Sequence, residues 1–409
     1  MSSYACRICS SPDHDLVLDF GKVALADSFL TSAAEIAKEQ RYQLTLVLCQ
    51  KCLHLQIKEV LDPKLLFSEY VWETGIPASI KRYCQEFADA VLGRVGAWGK
   101  ATVVEIASND GTMLKEFKSR GCDVVGVDPA QNIAQKANAA GIPTVADFFC
   151  ERVARDVLAK HGQRDICIAR NVLAHVADLH GLVEGIRLLL APAGTAIVEV
   201  PHLLTTYNEL QYDQVFHEHI GYHSLDSIIR LFALHELKVF DVEHPWIHGG
   251  SLRVYAAHAS VDRPPTPAVA QALAEEKAAG ILDREGWKRF GERAQTQKRL
   301  LREELERLRA AGKLVVGYGA SGKGQSLIQF CELDERLVKY VADKSTMKIG
   351  KLAPGSHIPI VSPEHMRADP VDVVLLFAWN FAREILEQEQ GMRQRGVQFL
   401  HPIPEPYYL

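Results

Sequence analysis

The sequence lacks three features that would each assign it to a broad class of protein. Its longest apolar runs, such as VVLLFAW at 373–379, are far too short to cross a bilayer. The N-terminal stretch MSSYACRICSS has neither the charged nor the apolar segment of a secretion signal. The formal net charge is −5, whereas a nucleic-acid or anionic-membrane partner calls for a basic excess. We therefore expect a cytoplasmic protein that binds neither membranes nor nucleic acids.

Cysteine is also too sparse for a disulfide framework, with nine residues in a chain of 409. Four of the nine form two CxxC pairs, Cys6 with Cys9 and Cys49 with Cys52. Two such pairs place four thiolates around one tetrahedral Zn²⁺ and leave no coordination position for water or substrate. We predict one structural zinc ion held by these cysteines. Redox-active or merely buried thiols are the alternative.

The length indicates two or three domains, because one hydrophobic core rarely organises 409 residues. We assign residues 1–68 to a small zinc-binding domain. Apolar strands alternate with helices over 69–262, which predicts a parallel, doubly wound sheet. The segment DRPPTP at 262–267 interrupts this pattern, and a long charged helical run follows it. A second series of alternating strands and helices then predicts a C-terminal Rossmann-like α/β domain over 263–409.

The segment VVEIASNDGTML at 103–114 is typical of a strand, a tight loop and a helix. Small residues Ala107 and Gly111 allow the backbone to approach a ligand closely, and the helix start supplies unpaired N–H groups. Glu105 precedes the loop, and Asp128 ends the next strand, where an acidic residue binds ribose hydroxyls. The loop is not GxGxxG, which disfavours a dinucleotide. A carboxylate-lined loop favours a cationic cofactor without phosphate, such as S-adenosylmethionine.

The segment FHEHIGYHS at 216–224 concentrates titratable side chains between apolar stretches. His219 with the adjacent Glu218 suggests an acid–base site, since a histidine exchanges protons near neutral pH and a glutamate can orient and charge it. A solvated loop without a role is the alternative. A metal site is a further one, because His217 and His219 would share a face of a strand, but the sequence offers no obvious third ligand.

The order of these motifs resembles that of the sugar-nucleotide C-methyltransferases, from about residue 6 to residue 403. The motifs are, in chain order, the two CxxC pairs, VVEIASNDGT, GVDPA, ARNVLAHV, EVPH, FHEHIGYHS, HGGSLRVY, GYGASGKG and LLFAWNFAREI. The resemblance implies a zinc-binding domain, a central class I methyltransferase domain that uses S-adenosylmethionine, and a C-terminal α/β domain. The substrate would be an NDP-4-keto-6-deoxyhexose, with dTDP or GDP as nucleotide, in the cleft between the last two domains. Methyl transfer would convert S-adenosylmethionine to S-adenosylhomocysteine.

The resemblance also implies a set of cofactor-binding residues. Asp147 would face the exocyclic amine of adenine and Phe148 would form an apolar wall. A core role for both Phe148 and Phe149 is the alternative. Asn171 would lie beside the methionine end, unless it only caps a turn. The full set is Glu105, Ala107, Asn109, Gly111, Asp128, Pro129, Asp147, Phe148 and Asn171.

Carbon methylation needs a carbon nucleophile, and a proton next to a ketone is acidic enough for a well-placed base to remove. The family's base falls on His219. A donor must then stabilise the enolate oxygen, and the candidates are His217, Tyr70, Tyr222 and His223. We predict the catalytic group as His219, Glu218, Tyr70 and Tyr222.

Two glycine-containing segments are candidates for substrate binding. HGGSLRVY at 248–255 offers close backbone approach at Gly249 and Gly250 and a cation at Arg253. GYGASGKG at 317–324 lies between a strand and a helix and suits a diphosphate, with a lysine as counter-charge, although it is not a full P-loop. The predicted substrate-binding residues are His217, Gly249, Gly250, Arg253, Tyr318, Gly319 and Lys323.

The chain departs from the family pattern at three places. Phe216 stands where a tyrosine usually precedes HEH, Trp72 and Glu73 replace usual tyrosine and hydroxyl positions, and Ser321-Gly322 replaces a Pro-Ala-like pair. These departures bear on which sugar is accepted. The competing interpretations are a nicotinamide-dependent oxidoreductase, an O- or N-methyltransferase, and a binding protein without activity. We expect a monomer.

Overall fold

The computed structural model describes residues 4–67, 78–96, 98–245 and 247–409. Its N-terminal unit contains three antiparallel strands, β1 (His14–Ala24), β2 (Arg41–Cys49) and β3 (Leu55–Ile57), and two short helices, α1 (Ala33–Ile36) and α2 (Pro63–Phe67). The second CxxC pair begins at the last residue of β2. Tyr70, Trp72 and Glu73 lie outside the described residues.

The central unit is a seven-stranded sheet between helices. Short runs of buried residues such as TVVEI form its inner strands, as expected where helices cover both faces of a parallel sheet. Its elements are α3 (Ala78–Val95), β4 (Thr102–Ile106), α4 (Thr112–Ser119), β5 (Asp123–Val127), α5 (Gln131–Ala139), β6 (Thr144–Val145), α6 (Glu151–His161), β7 (Arg164–Arg170), α7 (Leu179–Leu189), β8 (Leu190–Pro201), α8 (Leu203–Asn208), β9 (Gly221–Tyr222), α9 (Leu225–Ala233), β10 (Leu237–Glu243) and β11 (Ser251–His258). The strand order is β10-β11-β8-β7-β4-β5-β6, parallel from β8 to β6, with β11 antiparallel to both of its neighbours.

Strand β9 does not join the central sheet. It pairs antiparallel with β3, so that Tyr222 lies opposite Leu55 and Gly221 opposite Gln56. The N-terminal sheet therefore has the order β1-β2-β3-β9, and its fourth strand directly follows the His-Glu-His segment.

Two local predictions were wrong. The segment LHGLVEGIRLLLAPAG at 179–194, whose pattern predicts one helix, is helical only to Leu189, and β8 starts at Leu190, because Pro192 cannot continue the hydrogen bonding of a helix. His217 and His219 lie on a turn, not a strand, since the N–H of His219 donates to the carbonyl of Phe216 at 2.9 Å. The two histidines therefore do not share a strand face.

The C-terminal unit is a six-stranded sheet with the order β14-β13-β12-β15-β16-β17, parallel except for β17. Its elements, and the two helices that lead to it, are α10 (Pro267–Ala279), α11 (Arg284–Ala310), β12 (Val315–Tyr318), α12 (Gly322–Phe330), β13 (Val341–Ala342), β14 (Ile360–Val361), α13 (Pro363–Ala368), β15 (Val373–Leu376), α14 (Ala382–Gln388), α15 (Gln390–Gln394), β16 (Gln398–His401) and β17 (Tyr407–Tyr408).

The predicted charged run is thus two helices with different partners. In α10, Val269 and Ala272 pack into the core of the central unit, and the carboxylate of Glu276 accepts the N–H groups of Leu225 and Asp226 at the start of α9. The break follows at Gly280, which has a φ of +85°. Because α10 follows residue 262 and still packs on the central unit, the exact domain boundaries stay predictions.

Helix α11 joins the N-terminal and C-terminal units. Trp287 and Phe290 belong to one continuous apolar core that includes Leu46 of β2 and Val316 of β12. At Gly291 the helix approaches β1 so closely that a Cβ atom would lie 2.3 Å from the carbonyl oxygen of Val17. The fold is therefore the expected mixed α/β arrangement with two Rossmann-like sheets. Within the described ranges, no helix is both long and apolar enough to cross a membrane.

Candidate active site and zinc centre

The four predicted zinc ligands converge. The Sγ atoms of Cys6, Cys9, Cys49 and Cys52 all lie within 4.8 Å of one another, with Cys6 and Cys52 3.4 Å apart. Four thiolates at tetrahedral Zn–S distances of about 2.3 Å would be about 3.8 Å apart, so the arrangement fits the ion. The hydrogen bond from the Cys52 thiol lowers the pKa of Cys6 to about 5, which favours the thiolate that a metal needs.

The predicted cofactor loop has the tight backbone that its composition indicates. Ala107, Asn109 and Gly111 all have positive φ, at 56°, 50° and 74°, and Gly111 caps the N-terminus of α4. The loop folds back over β5 at Gly126, where a Cβ atom would lie 2.3 Å from Ser108 Oγ. Sequence reasoning missed Gly126, although a glycine inside an apolar strand is a sign of close backbone approach.

Asp128 shapes this loop as well as facing it. Its carboxylate accepts the N–H of Asn109 at 2.8 Å and the N–H of Ala130 at 3.0 Å. Burial raises the pKa of Asp128, and the two backbone donors oppose that shift. The carboxylate thus fixes the position of the loop at the carboxyl end of β5.

Three polar atoms near the same sheet edge have no hydrogen-bond partner among the described residues: Glu105 Oε2, Ser108 Oγ and Asn171 Oδ1. Glu105 is fully buried 3.3 Å from Arg170, and burial raises its pKa to about 7 in spite of that arginine. Buried polar atoms are nearly always satisfied. A ligand with an ammonium group and hydroxyls, such as S-adenosylmethionine, would satisfy them.

The predicted adenine end separates into two roles. Phe148 is 41% exposed beyond β6, and Asp147 forms an ion pair with Arg152 at 2.6 Å. Phe149 packs into the core, where a Cβ atom on Gly185 would lie 2.7 Å from its ring. The core role considered for both phenylalanines therefore holds for Phe149 only.

The His-Glu-His turn, residues 216–219, lies where all three units meet. Nδ1 of His219 is 3.0 Å from the carbonyl oxygen of Gln214, and its ring packs on those of Phe216 and His175, with centroids 4.1 Å and 4.8 Å away. Phe216 in turn faces Gly322 of the C-terminal unit, where a Cβ atom would lie 3.6 Å from its ring. The predicted orienting partner of His219 was the Glu218 side chain, whereas the structure gives this role to the Gln214 carbonyl.

Three other candidates in this segment have structural partners. His217 is buried, and its Nε2 bonds to the carbonyl of Gln43 in β2 at 3.1 Å. The hydroxyl of Tyr222 donates to the carbonyl of His219 at 2.9 Å, and His223 is buried beside His54. His217 and Tyr222 therefore use these groups in hydrogen bonds inside the protein, and a role of the three residues at the enolate stays a prediction. The metal alternative also has no support, because the four cysteines are the only ligand cluster within the described residues.

Glu218 has a different environment. Burial, together with repulsion from Asp27 in the turn after β1, raises the pKa of Glu218 to about 8. Its backbone carbonyl accepts a hydrogen bond from Nδ1 of His175 at 2.8 Å. A carboxyl group with a pKa near 8 is mostly protonated at neutral pH, and in that form the side chain next to His219 can donate a hydrogen bond.

Several of the predicted substrate residues meet at the boundary of the central and C-terminal units. Gly249, with a φ of +86°, faces Trp379 and Asn380, which a Cβ atom would approach to 3.9 and 4.0 Å. Gly250, with a φ of +106°, packs on Thr205. The Nζ atom of Lys323 lies 5.3 Å from the Trp379 ring centroid. Trp379 itself was not predicted, although it lies in the quoted motif LLFAWNFAREI.

Two predicted substrate residues lie inside the protein. Arg253 is buried and already paired with Glu199 at 2.9 Å, Glu243 at 3.0 Å and the Tyr83 hydroxyl at 2.6 Å, so its charge is used inside the central unit. Tyr318 is buried in β12 and its hydroxyl has no hydrogen-bond partner among the described residues, so its contact with the substrate stays a prediction.

The glycine-rich segment at 317–324 is built for a close turn. Gly319 has a φ of +95°, and a Cβ atom there would lie 2.4 Å from Ala378 Cβ. Ser321 caps α12 by accepting the N–H of Gly324 at 3.2 Å, which explains one departure from the family pattern.

Three family models divide the chain in the same order as its sheets. They are a zinc binding domain over residues 6–67, a methyltransferase domain over 79–242 and the C-methyltransferase C-terminal domain over 246–404. The C-methyltransferase NovU of Streptomyces niveus is 37% identical over 401 residues, which cover 98% of this chain and 96% of that protein. The chain belongs to the C-methyltransferase family.

Solved structures of methyltransferases match slightly less than half of this C-methyltransferase. Magnesium protoporphyrin IX methyltransferase from Synechocystis PCC 6803 with bound S-adenosylmethionine is 14% identical, covering 46% of this chain and 86% of its own, with a TM-score of 0.33. An S-adenosylmethionine-dependent methyltransferase from Clostridium acetobutylicum is 10% identical, covering 44% and 92%, with a TM-score of 0.35.

The family assignment confirms the predicted enzyme class, cofactor and zinc-binding domain. The C-methyltransferase uses S-adenosylmethionine, and its four-cysteine cluster is the zinc centre. The oxidoreductase alternative has no support, because the C-terminal unit matches the C-methyltransferase C-terminal domain. The same match favours carbon over oxygen or nitrogen as the methylated atom.

Proposed function

We propose that this C-methyltransferase methylates C3 of an NDP-4-keto-6-deoxyhexose, with His219 as the base that forms the enolate. The observation that carries the proposal is the 3.0 Å contact between His219 Nδ1 and the Gln214 carbonyl. A carbonyl can only accept, so Nδ1 carries the proton. In the neutral ring Nε2 then carries the lone pair, and it can take a proton from carbon.

Glu218 is the best candidate for stabilising the enolate oxygen. A carboxyl group with a pKa raised to about 8 keeps its proton at neutral pH and can donate to a developing negative charge. It is adjacent to His219 in the same turn, and we propose that both side chains act on neighbouring carbons of the substrate. Tyr70, which lies outside the described residues, stays a second candidate donor.

The cofactor residues are linked to this turn by a short segment. Asn171 follows β7 at the cofactor edge, and four residues later His175 packs against His219. Bound S-adenosylmethionine supplies an electrophilic methyl group. Glu105, Asp128 and Asn171 would hold it, since they carry the acceptors and the unsatisfied atoms of this edge.

The nucleotide end of the substrate is proposed to lie at Gly249, Trp379 and Lys323. The lysine supplies a counter-charge for a diphosphate, and the glycine allows close approach. The choice between dTDP and GDP stays open. A monomeric state and a cytoplasmic location remain predictions.

The direct test is product analysis. The enzyme is incubated with S-adenosylmethionine and with dTDP- or GDP-4-keto-6-deoxyhexose, and the product is examined by NMR. We expect a new methyl group on C3 with one of the two nucleotides. The matching 4-hydroxy sugar nucleotides serve as the control and should not react, because they have no ketone to acidify C3. Methylation of an oxygen, or of the 4-hydroxy sugar, would contradict the proposal.

A further inference from the structure

Asp213 is a fully buried carboxylate at the boundary of the central and C-terminal units. It lies in a single helical turn, Tyr212–Gln214, just before the His-Glu-His turn. Its Oδ2 accepts the indole N–H of Trp379 at 2.6 Å, whereas Oδ1 has no hydrogen-bond partner among the described residues. Lys323, whose Nζ lies 5.3 Å from the ring centroid of the same Trp379, lowers the pKa of Asp213 through its positive charge without a direct bond to it among the described residues. The proposed mechanism gives this group no role.

The next residue carries the carbonyl that orients the proposed base. The carbonyl of Gln214 accepts from Nδ1 of His219 at 3.0 Å and from the Tyr222 hydroxyl at 3.3 Å. The carboxylate bound to the C-terminal unit and the carbonyl bound to the imidazole therefore belong to adjacent residues. The following carbonyl, that of Val215, accepts the Ser326 hydroxyl at 2.6 Å, so this stretch of chain is held by the C-terminal unit at two points.

We propose that Asp213 is a positioning residue through which the C-terminal unit sets the orientation of His219. Its carboxylate accepts the indole N–H of Trp379, beside which Lys323 lies, and its backbone is part of the Tyr212–Gln214 turn. This inference rests on the proposed role of His219 as base. It deepens that role, because it makes the orientation of the base depend on the same lysine and tryptophan that are proposed to bind the sugar nucleotide.

The burial of Asp213 makes its charge important. A carboxylate removed from water is unfavourable unless it is hydrogen-bonded and paired, and it is then sensitive to the loss of either partner. Burial raises the pKa of Asp213 to about 6, with Lys323 and the Trp379 indole opposing that shift, so the group is ionised at neutral pH. A neutral side chain of the same size would accept from Trp379 more weakly and would not offset the charge of Lys323.

The test is Asp213→Asn in the full-length enzyme, assayed by methylation over a range of pH. Asparagine keeps the shape and an acceptor for Trp379 but removes the charge. We expect kcat to fall about ten- to a hundredfold, the range typical of a misplaced catalytic group, and KM for the sugar nucleotide to rise by a smaller factor, because Trp379 and Lys323 are still present. The acidic limb of the kcat profile, which reports protonation of the base, should shift. Trp379→Phe should give a smaller change in the same direction.

Tyr212→Phe is the matched control. Its hydroxyl donates to Gln297 Oε1 at 2.5 Å, so it anchors the same turn to the same side of the molecule without contacting Asp213's partners. It should lower the melting temperature and leave the pH profile in place. A normal kcat in Asp213→Asn, or an equal pH shift in Tyr212→Phe, would overturn the inference.

The inference and the proposed function can fail separately. Full activity in His219→Ala would remove the proposed base, whatever Asp213→Asn does. An inactive His219→Ala together with a normal Asp213→Asn would remove only the inference. If Asp213→Asn does not fold, Trp379→Phe decides, and an unchanged profile in that variant overturns the inference.

Discussion

The four-cysteine cluster and the His-Glu-His turn both consist of side chains that bind metals, but the structure uses them in opposite ways. The cysteines come from two segments about 40 residues apart, and their sulfur atoms converge to within 4.8 Å. The histidines are separated by one residue, yet their rings bond in different directions, His217 to Gln43 and His219 to Gln214. Convergence in space makes a metal centre, and proximity in sequence does not.

The two regions are nevertheless coupled. The strand that follows the turn, β9, pairs with β3 of the zinc-binding unit. Arg7, inside the first CxxC pair, donates to the carbonyl of Ile220 at 2.7 Å. We therefore expect the zinc ion to affect catalysis by supporting the strand that follows the turn, although it takes no part in the chemistry.

Removal of zinc should have the largest effect. Zinc binding of this type contributes about 10 kcal/mol to folding, so chelation should unfold the N-terminal sheet and withdraw the partner of β9. We expect methylation to be lost while calorimetry still detects binding of S-adenosylmethionine to the central unit. Metal analysis measures the loss of zinc, and circular dichroism measures the unfolding of the N-terminal sheet. Calorimetric titration measures the cofactor binding that remains.

Cys150→Ser provides the control for cysteine loss, because Cys150 is partly exposed and lies outside the cluster. It should behave as the wild type, whereas Cys6→Ser should resemble the chelated protein. A chelated enzyme that keeps its activity would show that the two regions are not coupled.

Asp128→Ala tests the cofactor edge, to which neither the four-cysteine cluster nor the His-Glu-His turn contributes a predicted cofactor-binding residue. Loss of hydrogen bonds to a charged acceptor costs about 1.5–3 kcal/mol, so cofactor affinity should fall about ten- to a hundredfold by calorimetry. The loop held by Asn109 and Ala130 would also relax. Asp123→Asn, at the opposite end of the same strand, is the control and should leave the affinity unchanged. Equal affinity in both variants would remove Asp128 from the cofactor site.

The pH dependence distinguishes Glu218 from a merely buried acid. Its folded pKa is raised from 4.5 to about 8, so the stabilisation from its proton is complete below about 4.5 and is lost as the pH rises through about 8. We expect kcat to fall along the same alkaline limb, by about tenfold or more once the donor is lost. In Glu218→Gln, which donates without titrating, this limb should disappear.

Asp27→Asn sharpens that test, because it removes the neighbouring negative charge. The midpoint of the alkaline limb should move to lower pH, since the pKa of Glu218 would no longer be raised by repulsion. If the midpoint of the alkaline limb is unchanged in both Glu218→Gln and Asp27→Asn, the limb belongs to another group.

The smallest expected effect is that of His217→Ala. Its bond to the Gln43 carbonyl is buried, and leaving one partner unsatisfied costs about 1–3 kcal/mol of unfolding free energy. Denaturant titration should detect that loss, while the enzyme retains its methylation activity under conditions where it is folded. Loss of activity without loss of stability would instead give His217 a chemical role.

Much of this architecture could be predicted from local patterns. The CxxC pairs, the strand-loop-helix at 103–114 and the acidic end of β5 each depend on residues close in sequence, or on a known coordination geometry. The pairing of β9 with β3 could not be predicted in this way, because it joins positions more than 160 residues apart.

Contacts that local sequence patterns do not reveal explain why the environments of several residues could not be predicted. Arg253 looked like an available cation because its partners Glu199 and Tyr83 are distant in sequence. Gln214 was missed because its backbone, not its side chain, contacts His219. Asp213 and Trp379 were missed because their bond links positions 166 residues apart.

The most direct test of the central claim is deuterium exchange at C3 of the keto sugar nucleotide in D₂O, with S-adenosylhomocysteine in place of the methyl donor. If His219 forms the enolate, the wild type and His217→Ala should both incorporate deuterium at C3. His219→Ala should lose at least about a hundredfold in both exchange and methylation, the typical effect of removing a general base, while it still folds and binds the cofactor. Exchange and methylation at the wild-type rate in His219→Ala would contradict the account.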